Sequence, residues 1–271
     1  MSDEESNVNA LIHLGQGKLV SKLYQDLLSK PSKKAGQALG TIVNVSNTVL
    51  WPIKWFNERT RLYFESNLKK YEEKLENLPE EEITPVPTEI SNPILDRFSY
   101  VSNKELSDAF VKLLASASSS KKAKDAHPGF IQIIDRISPD EARILKYLAT
   151  AIAIPVIDIK HINNPDNSAQ YRLVIKGETG LKQKLILNWP DNLPIYLDNL
   201  ESLGLISRKP YYLTVLETKF EKILEDLDPE IKKIFEKYNE EELRKVRIED
   251  KGMYEKTNFG NMFIRACIRG H

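Results

Sequence analysis

The sequence predicts a mainly α-helical protein with a small β component, in which a helical N-terminal region and a helical core precede a winged-helix-like α+β module. Two observations support this fold class. Apolar residues recur at steps of three and four up to about residue 153, which is the period of a helix. Beyond residue 155, apolar and polar residues alternate, which is the period of a strand.

The charge and cysteine content of the sequence exclude several classes of protein. Lys and Arg together number 39 among the 271 residues, and Asp and Glu together also number 39, so the formal net charge is zero. No global electrostatic field therefore attracts the chain to nucleic acid or to an acidic membrane. The single cysteine, Cys267, cannot form an intramolecular disulfide, and no charged-then-apolar segment opens the sequence. We therefore expect a cytoplasmic protein, and we exclude a disulfide scaffold, a collagen and a polytopic membrane protein.

The first predicted domain, residues 1–85, is a helical arm. It begins with a disordered tail at residues 1–8, because this stretch is acidic and poor in apolar residues. Residues 35–53 carry no charge and have the pattern of an amphipathic helix. The proline-rich residues 79–93 can neither continue a helix nor join a central strand, so they are predicted to be a linker. Between these segments, one charged helix has an apolar seam at Phe64, Leu68, Tyr71, Leu75 and Leu78.

Residues 35–56 leave two interpretations open. Their polar side chains favour a helix whose apolar stripe packs in the core of its own domain. Alternatively, Trp51, Trp55 and Phe56 favour insertion at a bilayer surface, because tryptophan prefers the boundary between headgroups and hydrocarbon. In that case the arm is a membrane-perturbing effector that acts at the inner membrane.

The second predicted domain, residues 86–153, is the helical core. Two capping boxes predict helix starts inside it, since a hydroxyl and a carboxylate three residues apart each satisfy a free amide. The first box pairs Ser102 with Glu105, and the second pairs Ser138 with Glu141. Apolar faces follow both starts, as expected of packed helices.

The third predicted domain, residues 154–271, is the winged-helix-like module. Helix, hairpin, helix and strand follow one another in the order typical of that arrangement. The predicted elements are strands over residues 157–160, 171–176 and 185–189, a helix over 191–203 closed by Gly204, a strand over 211–214, a charged helix from residue 220, a short strand near Tyr254 and a helix over 261–268.

The helix over residues 191–203 is the one that would enter a DNA groove. It carries Asp191, Asp198 and Glu201 but no Lys or Arg, and acidic side chains are repelled by phosphates. We therefore expect the module to be structural or to bind protein, and nucleic acid is disfavoured. The alternative is a nucleic-acid-binding regulator or an RNA-directed toxin. The basic residues available to that alternative are Lys182, Lys184, Arg208 and Lys209.

No catalytic, cofactor-binding or metal-ligating constellation emerges from the sequence. The four histidines are far apart, and only Cys267 offers a thiolate, so a zinc site lacks its usual ligands. Cys267 lies among apolar residues, which is typical of a small buried cysteine. No serine has the spacing of a nucleophile elbow. We predict a non-enzymatic protein without a cofactor.

His127, Pro128 and Phe130 form the one short motif that could contact a partner. A histidine before a proline at the start of a helix usually caps or packs against the neighbouring turn. The alternative is a ligand or partner contact, which requires a second polar group to converge on the imidazole.

These motifs resemble those of the abortive infection alpha (Abi-alpha) family of bacteria. The resemblance covers most of the chain and is densest over residues 93–145. The residues that carry it are Pro31, Gly36, Leu39, Gly40, Pro93, Leu95, Glu105, Leu106, Leu113, Leu114, Ala115, Ser116, Ala117, His127, Pro128, Phe130, Ile133, Ile134, Ile137, Ser138, Pro139, Asp140, Ala142, Ile144, Leu145, Asn199, Leu200, Leu203, Gly204, Leu205, Ile206, Thr257, Gly260, Phe263, Ala266 and Cys267.

The resemblance implies antiphage defence by abortive infection, in which an infected cell is halted or killed. It supplies no catalytic residues to carry over. With it we expect a protein partner or a phage-derived trigger. Peripheral contact with the inner membrane and assembly into a homo-oligomer stay open.

Overall fold

The computed structural model describes residues 58–162, 170–236, 238–239, 241–242 and 247–269. They divide into two compact units. The helical unit contains residues 58–136 and 265–269, and the sheet unit contains residues 137–264. The predicted tail at residues 1–8 and the segment at 35–56 lie outside the described residues, and the predicted division into three domains stays a prediction.

The fold is mainly α-helical with a small β component, as the sequence predicts. Its strands form one four-stranded antiparallel sheet within the sheet unit.

The helical unit packs four helices around aromatic and leucine side chains. Its helices are α1 (Glu58–Glu76), α2 (Thr88–Phe98), α3 (Lys104–Ala117) and α4 (Gly129–Arg136). The predicted seam of α1 is confirmed, because Phe64, Leu68, Tyr71 and Leu75 are all buried. The remainder of this core includes Phe98, Phe110 and Phe130.

The predicted linker at residues 79–93 is wrong at its C-terminal end. Helix α2 begins after Pro87 and continues through Pro93. A proline inside a helix removes one backbone hydrogen bond. Ile90, Ile94 and Phe98 lie on one face of α2 and are buried, and this burial outweighs the lost bond.

The first predicted capping box, of Ser102 and Glu105, is wrong, because the helix begins one residue later with a single side-chain cap. The N-cap of α3 is Asn103, whose side-chain oxygen accepts the Leu106 amide at 3.2 Å. Asparagine is among the strongest N-cap residues, so it replaces Ser102 in that role. The second box is confirmed: Ser138 Oγ accepts the Glu141 amide at 3.2 Å, and Glu141 Oε2 accepts the Ser138 amide at 2.6 Å.

The sheet unit alternates helices and strands. In chain order it contains α5 (Pro139–Thr150), β1 (Ala153–Ile162), β2 (Tyr171–Glu178), α6 (Leu193–Ser202), β3 (Ile206–Lys209), α7 (Glu217–Ile234), β4 (Arg247–Lys256) and α8 (Asn258–Phe263).

The four strands lie in the order β2-β1-β4-β3, and each pairs antiparallel with its neighbours. The predicted hairpin of β1 and β2 is confirmed. The short strand predicted near Tyr254 is the ten-residue β4, which pairs with β1 from Ala153 to His161. Helix α7 buries Phe220 and Ile231 in a cluster with Ile157 of β1.

Two predicted strands are wrong. Residues 185–189 belong to an irregular segment, because the amides of Asn188 and Trp189 donate to a carboxylate and so join no strand ladder. The strand predicted at residues 211–214 lies earlier, at β3. Gly204, with a φ of +71°, ends the turn after α6, so the chain enters the sheet at Ile206 and leaves it before Pro210.

The predicted C-terminal helix is present as α8 followed by a π-helix, Ile264–Arg269. Within the helical unit, Lys112 Nζ donates to the Ile268 carbonyl oxygen at 2.6 Å, and Ser116 Oγ donates to the Ala266 carbonyl oxygen at 3.0 Å. These two bonds hold the π-helix against α3. Cys267 lies buried there, and burial raises the pKa of its thiol well above the ordinary value.

Candidate interaction surface

The motif of His127, Pro128 and Phe130 lies at the start of α4. His127 Nδ1 accepts the Gly129 amide at 3.0 Å, and the centres of the His127 and Phe130 rings are 5.6 Å apart. Phe130 is buried in the helical unit, while His127 and Pro128 are exposed. The imidazole therefore accepts a hydrogen bond from the first residue of α4, which is the helix-start role that the sequence predicts for a histidine before a proline. A partner contact at its exposed edge stays a prediction.

The other predicted contact residues, Trp51, Trp55 and Phe56, lie outside the described residues. Among the described residues, no group of three or more His, Cys, Asp or Glu side chains is arranged to hold a metal ion.

Asp140 is the centre of an anchor that sequence reasoning did not assign. Its side chain lies in the first turn of α5 and is only 1% exposed. Oδ1 accepts the Asn188 amide at 2.9 Å and Arg143 Nη1 at 2.7 Å. Oδ2 accepts the Trp189 amide at 3.0 Å and the Tyr196 hydroxyl at 3.1 Å. A single carboxylate thus joins α5, the segment before α6, and α6 itself.

Hydrogen bonding keeps this buried carboxylate ionised. Burial alone would raise the pKa of Asp140, because water no longer stabilises the charge. The amides of Asn188 and Trp189, the Tyr196 hydroxyl and the Arg143 charge outweigh burial, so the pKa lies below its ordinary value. The anchor therefore carries a full negative charge at neutral pH.

Two further side chains of α5, those of Glu141 and Arg143, hold α5 against α6 and against the segment before α6. Glu141, the neighbour of Asp140 in the capping box, is buried and accepts Asn199 Nδ2 of α6 at 2.6 Å. Arg143 also donates to the Ile186 carbonyl oxygen at 3.3 Å. Together with the buried side chains of Leu187 and Leu193, these contacts fix the path of the chain between β2 and α6.

Three large apolar side chains, two on the anchored segment and one on the first turn of α6, lie in solvent. Ile186 is 91% exposed, Trp189 is 69% exposed and Ile195 is 64% exposed. We call these three residues the Trp189 surface. Large apolar side chains that a rigid segment holds in water are typical of a contact surface.

Lys182 and Lys184 precede this surface in the sequence. Lys182 Nζ is 3.4 Å from Asp191 Oδ1, which places the lysine close to the chain after Trp189. Partial burial and the charges of Lys219 and Lys222 lower the pKa of the Lys184 ammonium. We call Lys184, Lys219 and Lys222 the lysine cluster. Asp226 partly offsets its charge.

The basic residues of β3 are engaged within the sheet unit. Arg208 Nη2 is 2.7 Å from Asp158 Oδ2, and Lys209 Nζ is 3.3 Å from Glu255 Oε1. Both line an open groove of about 800 Å³ beside β4, whose wall also contains Lys251. The Lys251 ammonium is paired with Glu217 at 2.8 Å.

Two sequence signals could have revealed the Trp189 surface. Pro190 directly after Trp189 argues against a central strand at residues 185–189. Asp140 lies in a capping-box turn where only Ser138 and Glu141 are needed as caps, so its carboxylate is left for another partner.

Comparison with known proteins identifies one relationship. A sequence model of a protein family, described as abortive infection alpha, matches residues 63–267. No curated protein and no solved structure matches the chain. Among the described residues, no helix combines the length and apolar character needed to cross a membrane.

Proposed function

Because the chain belongs to the abortive infection alpha family, we propose that it defends bacterial cells against phage by abortive infection. In this proposal it is a non-enzymatic effector that acts by binding another macromolecule. The family supplies the biological role, and the mode of action is inferred from the sheet unit.

The Trp189 surface carries the inferred mode of action. Four donors converge on Asp140, and they hold Trp189 and Ile186 in water although both side chains are apolar. Displaying apolar side chains opposes the hydrophobic effect, so a protein gains from it mainly when a partner covers them. This arrangement supports recognition as the activity of the sheet unit.

The finer description of the sheet unit as winged-helix-like is part of the proposal. The order of α5, the β1-β2 hairpin, α6 and β3 supports it. The pairing of Arg208 with Asp158 and of Lys209 with Glu255 favours a role other than DNA reading, because these cations are already neutralised.

The trigger belongs to the same proposal. A protein partner or a phage-derived component activates the effector in the cytoplasm or at the inner membrane. The amphipathic segment at residues 35–56 stays a candidate effector arm on its sequence pattern alone.

A phage challenge tests the proposed role. Cells that carry the gene on a plasmid are compared with cells that carry the empty plasmid, across a broad phage panel. We expect fewer plaques and smaller bursts with the gene, together with early arrest of infected cells. Equal plaque counts, burst sizes and survival for every phage would contradict the role.

Nucleic-acid binding is the second candidate, and the lysine cluster favours it. Lys184, Lys219 and Lys222 concentrate positive charge on one part of the sheet unit. Phosphate contacts make affinity fall steeply as salt increases. Gel-shift titrations with single-stranded RNA and duplex DNA at several salt concentrations check this candidate, and no shift at low salt would eliminate it.

A further inference from the structure

The outer edge of β4 is only partly covered by its neighbour β3. Strand β1 pairs with β4 from Glu255 to Arg247, whereas β3 pairs only with residues 253–256. Pro210 follows the last residue of β3 and has no backbone N–H, so the ladder between β3 and β4 stops there. Among the described residues, no strand continues along residues 247–252 of β4, and the open groove of about 800 Å³ lies beside them.

Two hydrogen bonds show which residues of β4 face β3. In an antiparallel ladder the backbone groups of successive residues point alternately to the two neighbouring strands. The Thr257 amide, directly after β4, donates to the Leu205 carbonyl oxygen at 3.1 Å. The Arg208 amide donates to Glu201 Oε1 at 2.7 Å, so Arg208, which lies opposite Tyr254, turns its backbone groups away from β4. The odd-numbered residues of β4 therefore face the side of β3, and the even-numbered residues face β1.

The same alternation places backbone donors and acceptors in the groove. Lys251 and Glu249 are odd-numbered and lie beyond the end of β3, so their N–H and C=O groups point into the groove. We propose that the groove binds an extended segment of a partner protein, which adds a strand to the open edge of β4. Residues 247–252 span about 20 Å at the rise of a strand, which is room for several consecutive residues of the partner.

The lining of the groove favours a polypeptide over a charged polymer. Its charged residues are Asp158, Glu249, Asp250, Arg208, Lys209 and Lys251. Three of them are anionic and three are cationic, so the groove attracts neither sign of charge strongly. Arg208 is already paired with Asp158 at 2.7 Å, and Lys251 is paired with Glu217 at 2.8 Å. An edge of alternating N–H and C=O groups is complementary to another peptide backbone, whose main-chain hydrogen bonds then supply the affinity.

Hydrogen exchange of single amides, followed by NMR on the full chain, tests the proposal. In the free protein we expect the amides of Glu249 and Lys251 to exchange faster than those of Asp250 and Gly252, which face β1. The probe is an uncharged peptide of alternating valine and threonine, as long as the open edge, because these residues favour strands. At millimolar concentration it should slow the exchange of Glu249 and Lys251. Equal exchange of all four amides in the free protein, or no change on addition of the peptide, would overturn the proposal.

A pair of variants separates the backbone of Lys251 from its side chain. Lys251→Pro removes one donor from the open edge and leaves the bonds to β1 in place, whereas Lys251→Ala removes only the side chain. We expect Lys251→Pro to bind the fluorescently labelled peptide about fivefold more weakly, the factor of one net hydrogen bond, and Lys251→Ala to bind it like the wild type. Circular dichroism verifies that both variants fold, and Glu249→Pro with Glu249→Ala repeats the comparison if Lys251→Pro does not. Equal affinity within a folded pair would contradict strand addition.

Two outcomes would assign the groove to another occupant and overturn the proposal. One is protection of Glu249 and Lys251 that increases with protein concentration in the absence of the peptide, which indicates a second copy of the chain. The other is protection by single-stranded RNA and none by the peptide. The groove shares no residue with the Trp189 surface. Trp189→Ser should therefore bind the peptide like the wild type, and the phage challenge and the peptide titration can fail independently.

Discussion

Two segments of the sheet unit that lead into helices display apolar side chains to solvent, and they differ in how they are held. The Trp189 surface lies on the chain before α6 and on the first turn of α6, and the amides of Asn188 and Trp189 bond to the buried Asp140. The segment at residues 211–215, before α7, exposes Tyr211, Leu213 and Val215. Its own anchor is Tyr212, whose ring packs edge-on against the Phe220 ring, with the ring centres 4.7 Å apart.

The charges beside the two segments also differ. Glu217 and Lys251, next to the 211–215 segment, form an ion pair at 2.8 Å, and the pKa of the Glu217 carboxyl is lowered by Lys251 and Tyr212. Lys184, which precedes the Trp189 surface in the sequence, instead feels the charges of Lys219 and Lys222, and Asp226 partly offsets them. Exposure of apolar side chains is therefore common to both segments, whereas the buried ionic anchor of Asp140 distinguishes the Trp189 surface.

Removing the carboxylate beside each segment should produce the largest difference in stability between the two. Asp140→Ala leaves two partly buried amides, the Tyr196 hydroxyl and the Arg143 guanidinium without their acceptor, so we expect a loss of about 3 kcal/mol in the free energy of unfolding. Glu217→Ala removes a partly exposed ion pair and should cost much less. Urea denaturation measures both, and hydrogen exchange of the amides of residues 186–189 should become faster in Asp140→Ala alone. Equal stability of the two variants would contradict the anchor.

The contribution of Asp140 to stability should depend on pH. Because the folded-state pKa of Asp140 lies below its ordinary value, the stability it provides is present above about pH 4 and is lost as the pH falls through the folded pKa. We expect Asp140→Asn to be less stable than the wild type at neutral pH and the difference to shrink in acid. Denaturation curves at a series of pH values check this, and a difference independent of pH would show that ionisation of Asp140 contributes nothing.

The sequence predicted the elements that depend on local pattern. The seam of α1, the capping box of Ser138 and the hairpin of β1 and β2 need only neighbours along the chain. The position of β4 beside β1 depends on pairing across about ninety residues, which no local period encodes.

The candidate site was harder to predict for the same reason. Asp140 is 48 residues from Asn188 and 56 residues from Tyr196, so its role emerges only when the fold brings them together. The alternation at residues 185–189 resembles a strand, yet tertiary hydrogen bonds to Asp140 take its amides. The sequence did identify the family, because short motifs at matching positions require no knowledge of the fold.

A matched pair of tyrosines sharpens the comparison of the anchors. Tyr196→Phe removes one buried donor to Asp140 and should lower the free energy of unfolding by about 1 kcal/mol. Tyr212→Phe removes a hydroxyl that interacts with the exposed Glu217 and should have a smaller effect. Thermal unfolding of both variants beside the wild type provides the measurement. A larger loss for Tyr212→Phe would reverse the order assigned to the two segments.

The smallest expected effect on stability belongs to the residue with the largest expected effect on function. Trp189→Ser alters an exposed side chain and should change the free energy of unfolding by no more than about 0.5 kcal/mol. Val215→Ser, on the 211–215 segment, removes an apolar side chain of similar exposure and serves as its control. Urea denaturation should give the same midpoint for both variants, and a large loss in Trp189→Ser would mean that the indole is structural.

The most direct measurement of the central claim is the efficiency of plating of a sensitive phage on cells that express the wild type, Trp189→Ser or Val215→Ser at equal protein levels. If the protein acts in defence through the Trp189 surface, Trp189→Ser restores plaques towards the count without the gene, and Val215→Ser protects like the wild type. Full protection by Trp189→Ser, or equal loss of protection in both variants, would contradict the claim.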